Sequence, residues 1–310
     1  MKVSPPQYRV VTLGALLAIC AIIVTGAAVR LTGSGLGCAD WPACNSTTFI
    51  DVSSRHAAIE QINRLFTGLV SVAVIAAVLG SLVRAPRRRD LTWLSLGLVA
   101  GVLAQIVLGG VTVLVDLHPA AVQGHMLLSL VLVANAVALV HRASEPDVGL
   151  AVRPVSPEIH RHVMGIAVLT ASALVTGTVV TGAGPHAGDE EARRFGVAIA
   201  DAARVHGTSV ALAVTAMAAL AWRLRRRPAE RAELAEWMSA WILVALLQGA
   251  IGYIQYFSEV PALLVGFHVL GATVLWAITV ATALRTLPAR RVVPVADGVA
   301  VAATAVPVTS

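Results

Sequence analysis

Four polar side chains recur at matched positions, five to seven residues inside one end of four long apolar segments. They form two pairs, Asn63 with His125 and His206 with His268, and the members of each pair are 62 residues apart. A polar side chain buried in hydrocarbon is costly and is usually functional. A lone histidine of this kind is more often a hydrogen-bonded core residue, but recurrence at one depth favours metal ligation, most strongly for His206 with His268.

The segments that position these side chains have the composition of membrane spans. The chain has 310 residues, of which 57% are hydrophobic and 13% charged, and its mean hydropathy is +0.80. Windows of about 20 apolar residues can cross a hydrocarbon core of roughly 30 Å. They occur near 9–30, 60–83, 91–115, 120–141, 163–183, 203–222, 238–257 and 262–284. We therefore predict an all-α integral membrane protein with eight transmembrane helices in the lipid bilayer.

The basic residues predict how these helices are oriented. Short cytoplasmic loops carry an excess of Lys and Arg, and with the N-terminus inside, runs such as Arg87–Arg89 and Arg223–Arg227 fall on the inner side. This predicts a multi-pass protein of the cell membrane with both termini cytoplasmic and the histidines near the outer face. The topology already explains the net charge of +6, so we expect no binding to nucleic acid.

The chain contains an internal repeat. The segment Gln105-Ile-Val-Leu-Gly-Gly-Val-Thr, twenty residues before His125, matches Gln248-Gly-Ala-Ile-Gly-Tyr-Ile-Gln, twenty residues before His268. Upstream, Val24-Thr-Gly resembles Val175-Thr-Gly. Each half then has four spans, so the two four-helix bundles should be parallel and related by a pseudo-twofold axis along the membrane normal. The predicted units are an N-terminal half (1–142), a cytoplasmic linker (143–162), a C-terminal half (163–288) and a disordered cytoplasmic tail (289–310).

Two facing imidazoles in a helix bundle can ligate a haem iron axially. The second half has two histidines at these positions, whereas the first half has one. Asn63 stands where the repeat predicts a fourth histidine, and asparagine is not a competent axial ligand, so the first site should be weaker or open on one side. His56 lies about 10 Å along the helix from Asn63, although a flexible loop could bring it closer. Glu60, one turn before Asn63, could relay protons or stabilise a cation, and it is equally suited to pair with Arg64.

The outer loops carry further candidates. Arg30, Arg64 and Arg204 could bind haem propionates, and ordinary anchoring at the membrane interface is an equal alternative. Cys38 and Cys44 lie in the first outer loop, on the oxidising side of the membrane, where we expect them to form a disulfide. Cys20, inside the first span, is expected to be a packed thiol.

The run Val29-Arg-Leu-Thr-Gly-Ser-Gly-Leu-Gly-Cys-Ala-Asp-Trp-Pro-Ala-Cys44, with Glu60-Gln-Ile-Asn-Arg64 and the later histidine helices, resembles the haem A synthase family. Thr181-Gly-Ala-Gly-Pro-His-Ala-Gly-Asp189 adds a second distinctive match, and the likeness covers essentially all eight spans. It implies oxidation of the C8 methyl of haem O to a formyl group, through hydroxylated intermediates, to produce haem A for cytochrome oxidase.

The resemblance also implies the roles of individual residues. His206 and His268 match the pair that holds a haem b cofactor, His125 matches a residue of the substrate haem site, which here includes Asn63 and Arg64, and Glu60 matches the catalytic glutamate. The chain departs from the family at Asn63, where many members have histidine. The implied partners are the haem O synthase (protohaem farnesyltransferase) and a redox protein, and the chain could also form a homo-oligomer.

Two other functions are compatible with the same residues. A membrane b-type cytochrome would use the histidines to carry electrons and leave the haem unchanged. A repeat-built transporter would also have parallel halves, and it would not need haem.

Overall fold

Eight long α-helices make up the part of the chain that the computed structural model describes, residues 2–291. They are α1 (Pro5–Leu31), α2 (Arg55–Val83), α3 (Arg89–Leu114), α4 (Pro119–Ser144), α5 (Pro157–Ala183), α6 (Ile199–Leu224), α7 (Pro228–Phe257) and α8 (Ala262–Arg285). Each is long and apolar enough to cross a membrane. The prediction of an all-helical chain with eight spans is confirmed.

The helices extend beyond the apolar windows because helix ends are set by capping residues and not by hydropathy. Proline occupies the first turn of α1, α4, α5 and α7, where its missing N–H costs nothing. The Ser54 side chain caps α2 by accepting a hydrogen bond from the Ala57 amide. Helix α7 begins at Pro228, well before the apolar window at 238–257, so its first turns are polar.

The helices contact one another in the same cyclic order in each half of the chain. In the first half α1 packs on α2, α2 on α3, α3 on α4 and α4 on α1, and α5 to α8 repeat this pattern. Accordingly α2 lies diagonally across from α4, and α6 across from α8. The halves meet where α8 packs on α4 and α1, and where α4 packs on α5.

The interior of each half is mainly apolar, and some of its buried polar groups form hydrogen bonds between helices. In the first half the Tyr8 hydroxyl donates to the Ala77 carbonyl at 3.2 Å, and in the second the Trp241 indole N–H donates to the Thr279 hydroxyl at 2.9 Å. Large apolar side chains are also exposed along the outside of the helices. Such a surface suits contact with lipid, in which apolar side chains are at no disadvantage.

The inner-side connections differ from the predicted boundaries. Helices α4 and α5 enter the predicted linker from both sides, so the connection shortens to 145–156. Within it, β1 (Leu150–Val152) pairs antiparallel with β2 (Ala289–Arg291). The predicted disordered tail at 289–310 is therefore wrong for its first three residues, which are ordered by pairing with the linker backbone, and residues 292–310 lie outside the described range.

Two outer loops share an unusual backbone conformation. Leu117, between α3 and α4, has φ 55°, and Val260, between α7 and α8, has φ 58°. The Leu117 amide donates to the Thr112 carbonyl, and the Val260 amide donates to the Gln255 carbonyl, both at 2.8 Å. A left-handed conformation is rare for a bulky residue and rarer still for a β-branched one. The two loops therefore share a backbone conformation and a hydrogen-bond pattern.

Candidate haem site

His206 on α6 and His268 on α8 face each other across the diagonal of the second half. Their ring centroids are 6.4 Å apart and the ring planes are nearly perpendicular, at 79°. A metal midway would lie about 3.2 Å from each centroid, close to the roughly 3 Å expected from a metal–nitrogen bond of about 2 Å and about 1 Å from nitrogen to ring centre. The spacing of the two rings therefore fits axial ligation of a haem iron.

The hydrogen bonds of His206 leave its Nε2 atom available to bind a metal. The Nδ1–H group of His206 donates to the Ala173 carbonyl of α5 at 2.9 Å, and the Thr176 hydroxyl lies 3.4 Å from the same nitrogen. Because a carbonyl only accepts, Nδ1 carries the proton and Nε2 keeps a free lone pair. A metal-binding histidine commonly has this arrangement, in which a backbone carbonyl orients the ring. His268 lacks such a partner, since its buried Nδ1 has none among the described residues.

Each of the three intramembrane histidines packs against a glycine of the preceding helix. An added Cβ at Gly177 would lie 3.1 Å from Cε1 of His206, and at Gly252 it would lie 3.5 Å from Cε1 of His268. In the first half, a Cβ at Gly109 would lie 3.3 Å from Cε1 of His125. Small residues thus make room for an imidazole at three equivalent places. The sequence signal for this role is that these glycines fall within the Val175-Thr-Gly, Gln105 and Gln248 motifs of the predicted repeat.

The first half repeats the arrangement with Asn63 in place of a histidine. Asn63 on α2 accepts a hydrogen bond through Oδ1 from the Thr25 hydroxyl of α1, at 2.9 Å. The predicted repeat matches Thr25 with Thr176, and each threonine hydroxyl lies near the corresponding side chain, Asn63 or His206. Across the diagonal, His125 on α4 has a buried Nδ1 with no partner within residues 2–291. The first half therefore has one imidazole, on α4, and a carboxamide on α2.

Glu60 lies one turn from Asn63 and is buried, with 5% of its surface exposed. Its Oε2 accepts the backbone N–H of Cys38 at 2.8 Å, and its Oε1 accepts two N–H groups of Arg64 at 3.0 and 2.7 Å. The i, i+4 ion pair with Arg64 is thus present. Glu60 also holds the first outer loop above the site, a contact that the sequence did not indicate.

Arg64 is fully occupied by contacts within the protein. Besides Glu60, its guanidinium donates to the backbone carbonyls of Asp40, Pro42 and Ala43 at 3.0, 3.4 and 3.3 Å. These bonds use all five N–H donors of an arginine. In this structure Arg64 clamps the loop and has no free donor for a haem propionate.

The first outer loop is closed by a disulfide and packed down on α2 and α3. Cys38 and Cys44 are bonded to each other and buried. A Cβ at Gly110 of α3 would lie 2.5 Å from the Trp41 ring, so the indole lies directly on that helix. His56 is exposed, and its Nδ1 lies 2.9 Å from the Ser34 hydroxyl of the same loop. His56 anchors the loop and is not brought to Asn63.

The two remaining outer arginines of the prediction have different surroundings. Arg204 is exposed over 76% of its side chain and pairs with Asp201 at 2.5 Å. Arg30, in the last turn of α1, donates to the Thr181 carbonyl of α5 at 2.6 Å. Its Nε is buried with no partner in the described part of the chain.

These features define a multi-pass helical membrane protein with a paired imidazole site near one end of a four-helix unit. A model of the cytochrome oxidase assembly protein family, COX15-CtaA, matches residues 9–188. The match covers more than half of the chain, which therefore belongs to this family, and the predicted resemblance is confirmed. The match ends before α6, so the His206–His268 site rests on the structure.

Individual relatives are bacterial proteins named heme A synthase. The chain is 29% identical over 166 residues to that of Bacillus pumilus, covering 51% of this chain and 53% of the relative. It is 28% identical over 171 residues to that of an Exiguobacterium species, covering 55% of each. It is 26% identical over 167 residues to that of Bacillus licheniformis, covering 53% and 55%. The matched segment spans about half the length of each relative.

Proposed function

We propose that this chain is a haem A synthase that oxidises the C8 methyl group of haem O to a formyl group through hydroxylated intermediates. The observation that carries the proposal is the buried Glu60 carboxylate, held beside Asn63 beneath a disulfide-closed loop, within the segment that matches the family. The relatives that match this segment are named heme A synthase.

The second half, residues 163–288, is proposed to hold haem b as a resident cofactor. His206 and His268 would hold its iron, supported by their 6.4 Å separation and by the Nδ1–H bond that leaves Nε2 of His206 free. Haem b supplies one-electron transfer when bound. The protein's part is to orient the two rings and to exclude water from the bundle interior.

The first half, residues 1–142, is proposed to bind the substrate haem O. His125 would ligate its iron on one face, and Asn63 would leave the other face without a protein ligand. Glu60 would stabilise positive charge that develops on the reacting methyl carbon, since a preorganised carboxylate in a water-poor site acts strongly on developing charge. Arg64 serves this role indirectly, because it holds Glu60 and the loop in place.

The two halves are proposed to be parallel bundles related by a pseudo-twofold axis along the membrane normal. The same cyclic order of helix contacts in both halves supports this, as do the matched loop turns at Leu117 and Val260. The contacts Thr25–Asn63 and Thr176–His206 also hold equivalent places. Such symmetry would place both haem sites at the same depth.

The proposed location is the cell membrane, with both termini cytoplasmic and both sites near the outer face. The basic runs that flank the inner helix ends support this orientation. Each hydroxylation would remove two electrons and two protons from the methyl group and water and take its oxygen from that water, so a redox partner must accept the electrons. The haem O synthase would deliver the substrate, and self-association into a homo-oligomer belongs to the same proposal.

The proposal is tested by purifying the chain from a host that makes haem O, then extracting and weighing its haems. Haem b with hydroxylated haem O or haem A is the expected result. Haem b alone would instead identify a b-type electron carrier, and a chain without haem would contradict the site as well.

The role of Glu60 is tested by comparing Glu60→Gln with Arg64→Gln. Glutamine still accepts the Cys38 N–H bond but carries no charge, so Glu60→Gln should keep both haems and form no haem A. Arg64→Gln loosens the loop and leaves the carboxylate in place, so it should keep part of the activity. Haem A production by Glu60→Gln at the wild-type rate would disprove the catalytic role.

A further inference from the structure

A half-buried cationic side chain, Arg30, lies between the two halves. Arg30 reaches from α1 to the Thr181 carbonyl of α5, and its Cγ lies 3.6 Å from an added Cβ at Gly188, in the loop that also carries Arg194. Arg194 itself donates to the backbone carbonyls of Pro185 and Ala192. Neither arginine has a carboxylate within 4.0 Å among the described residues, although Asp189, Glu190 and Glu191 share a loop with Arg194.

Two other arginines of the described residues with little exposed surface are neutralised by carboxylates, whereas Arg30 is not. Arg84, whose side chain is 0% exposed, pairs with Asp147 at 2.8 Å, and Arg64 pairs with Glu60 at 2.7 Å. A buried charge is expensive unless it is paired and hydrogen-bonded. The Nε–H of Arg30 is buried and unpaired within residues 2–291. A bound anion would supply both the missing acceptor and the missing negative charge.

The position of Arg30 relative to His206 follows from their contacts with α5. Thr181 lies one helical turn, about 5.4 Å, beyond Gly177, and an added Cβ at Gly177 would lie 3.1 Å from the His206 ring. The Thr181 hydroxyl also donates to the Gly177 carbonyl at 2.9 Å. The guanidinium is therefore about one turn farther out than the imidazole, on the same face of α5.

We propose that Arg30, together with Arg194 of the adjoining loop, binds a propionate carboxylate of the haem held by His206 and His268. The first half of the chain would thereby hold the cofactor of the second half, across the seam between them. A guanidinium with free N–H groups recognises a carboxylate through charge-assisted hydrogen bonds. The inference rests on the proposed haem b site, and it adds the residue that recognises the acidic edge of the porphyrin.

The test uses the full chain, freed of haem and reconstituted with iron protoporphyrin IX or with its dimethyl ester. Hydrogen bonds to charged groups contribute enough to change affinity about tenfold or more. The wild type should therefore bind the free acid about tenfold more tightly than the ester. Arg30→Gln should bind both about equally, with the low-spin spectrum retained and a lower midpoint potential. Arg204→Gln, which changes an exposed arginine of the same face, should behave as the wild type.

Two further variants keep the test decisive if Arg30→Gln folds poorly. Arg30→Lys keeps the charge and should retain part of the preference for the acid, whereas Arg194→Gln should lose part of it. An undiminished preference in Arg30→Gln, or in Arg194→Gln where Arg30→Gln cannot be purified, would overturn the proposal.

A free anion from outside is the other source of the same chemistry. If inorganic phosphate raised the thermal transition of the wild type equally with and without haem, the site would bind free anions and the propionate assignment would be wrong. Failure of the haem site itself is distinguishable, since the wild type would then show no low-spin spectrum with either porphyrin.

Discussion

Replacing Gly177 by alanine should weaken haem binding in the second half without unfolding the protein. The new methyl group would lie 3.1 Å from Cε1 and 3.3 Å from Nδ1 of His206, whereas carbon contacts are optimal at about 3.5–4.0 Å. The ring must therefore move by roughly 0.4 Å. This movement would disturb the 2.9 Å bond from Nδ1 to the Ala173 carbonyl, which orients the ring.

The expected loss of haem affinity in Gly177→Ala follows from the cost of overpacking, about 1–3 kcal/mol. This cost corresponds to a loss of about 5- to 150-fold. Gly165, on the same helix, has no atom within 4 Å of an added Cβ, so Gly165→Ala is the matched control. Both substitutions favour the helix itself, by up to about 1 kcal/mol. Global stability should then hold in both variants while only Gly177→Ala loses haem.

The assay is titration of the haem-free protein with iron protoporphyrin IX, followed by the absorbance of the low-spin complex. Thermal unfolding of the haem-free forms measures any effect on the fold. Equal affinities and identical spectra for Gly177→Ala and Gly165→Ala would refute the reasoning, because they would mean that a ligated His206 ring does not lie against Gly177.

Two other predictions follow from the first half of the chain. Asn63→His should convert the first-half haem to a six-coordinate low-spin form, because the predicted repeat matches Asn63 with His206. An unchanged electron paramagnetic resonance spectrum would show that the side chain at 63 does not face the iron. Replacing Cys38 and Cys44 by serine should lower the free energy of unfolding by about 2–4 kcal/mol, measured as a lower thermal transition. A transition equal to that of the disulfide-bonded protein would show that the bond contributes nothing to stability.

The disulfide and the eight spans could be predicted from sequence because both depend on local information. Apolar windows of sufficient length must be helical in a membrane, and two cysteines six positions apart in an outer loop have few alternatives. Hydropathy could not locate the inner helix ends, since α7 begins at Pro228 in a polar segment that remains helical through its own backbone hydrogen bonds.

The sequence alone left the role of Arg64 undecided. Pairing with Glu60 follows from the i, i+4 spacing, and binding of a propionate was equally consistent with the sequence. The carbonyls of Asp40, Pro42 and Ala43 decide between them, because they occupy the donors that a propionate would need. These carbonyls belong to a loop whose path no local pattern predicts.

The sequence by itself determined that this protein has eight apolar segments long enough to span a membrane, and its spacing predicted a repeat with three histidines and Asn63 at one depth. Composition and spacing along single helices decide such properties. Only the tertiary structure decided that His206 and His268 face each other, that Glu60 holds the Cys38 loop, and that Arg30 contacts Thr181 of the other half. Those contacts join residues far apart in the chain, and they exist only once the packing of all eight helices has fixed the direction of each side chain.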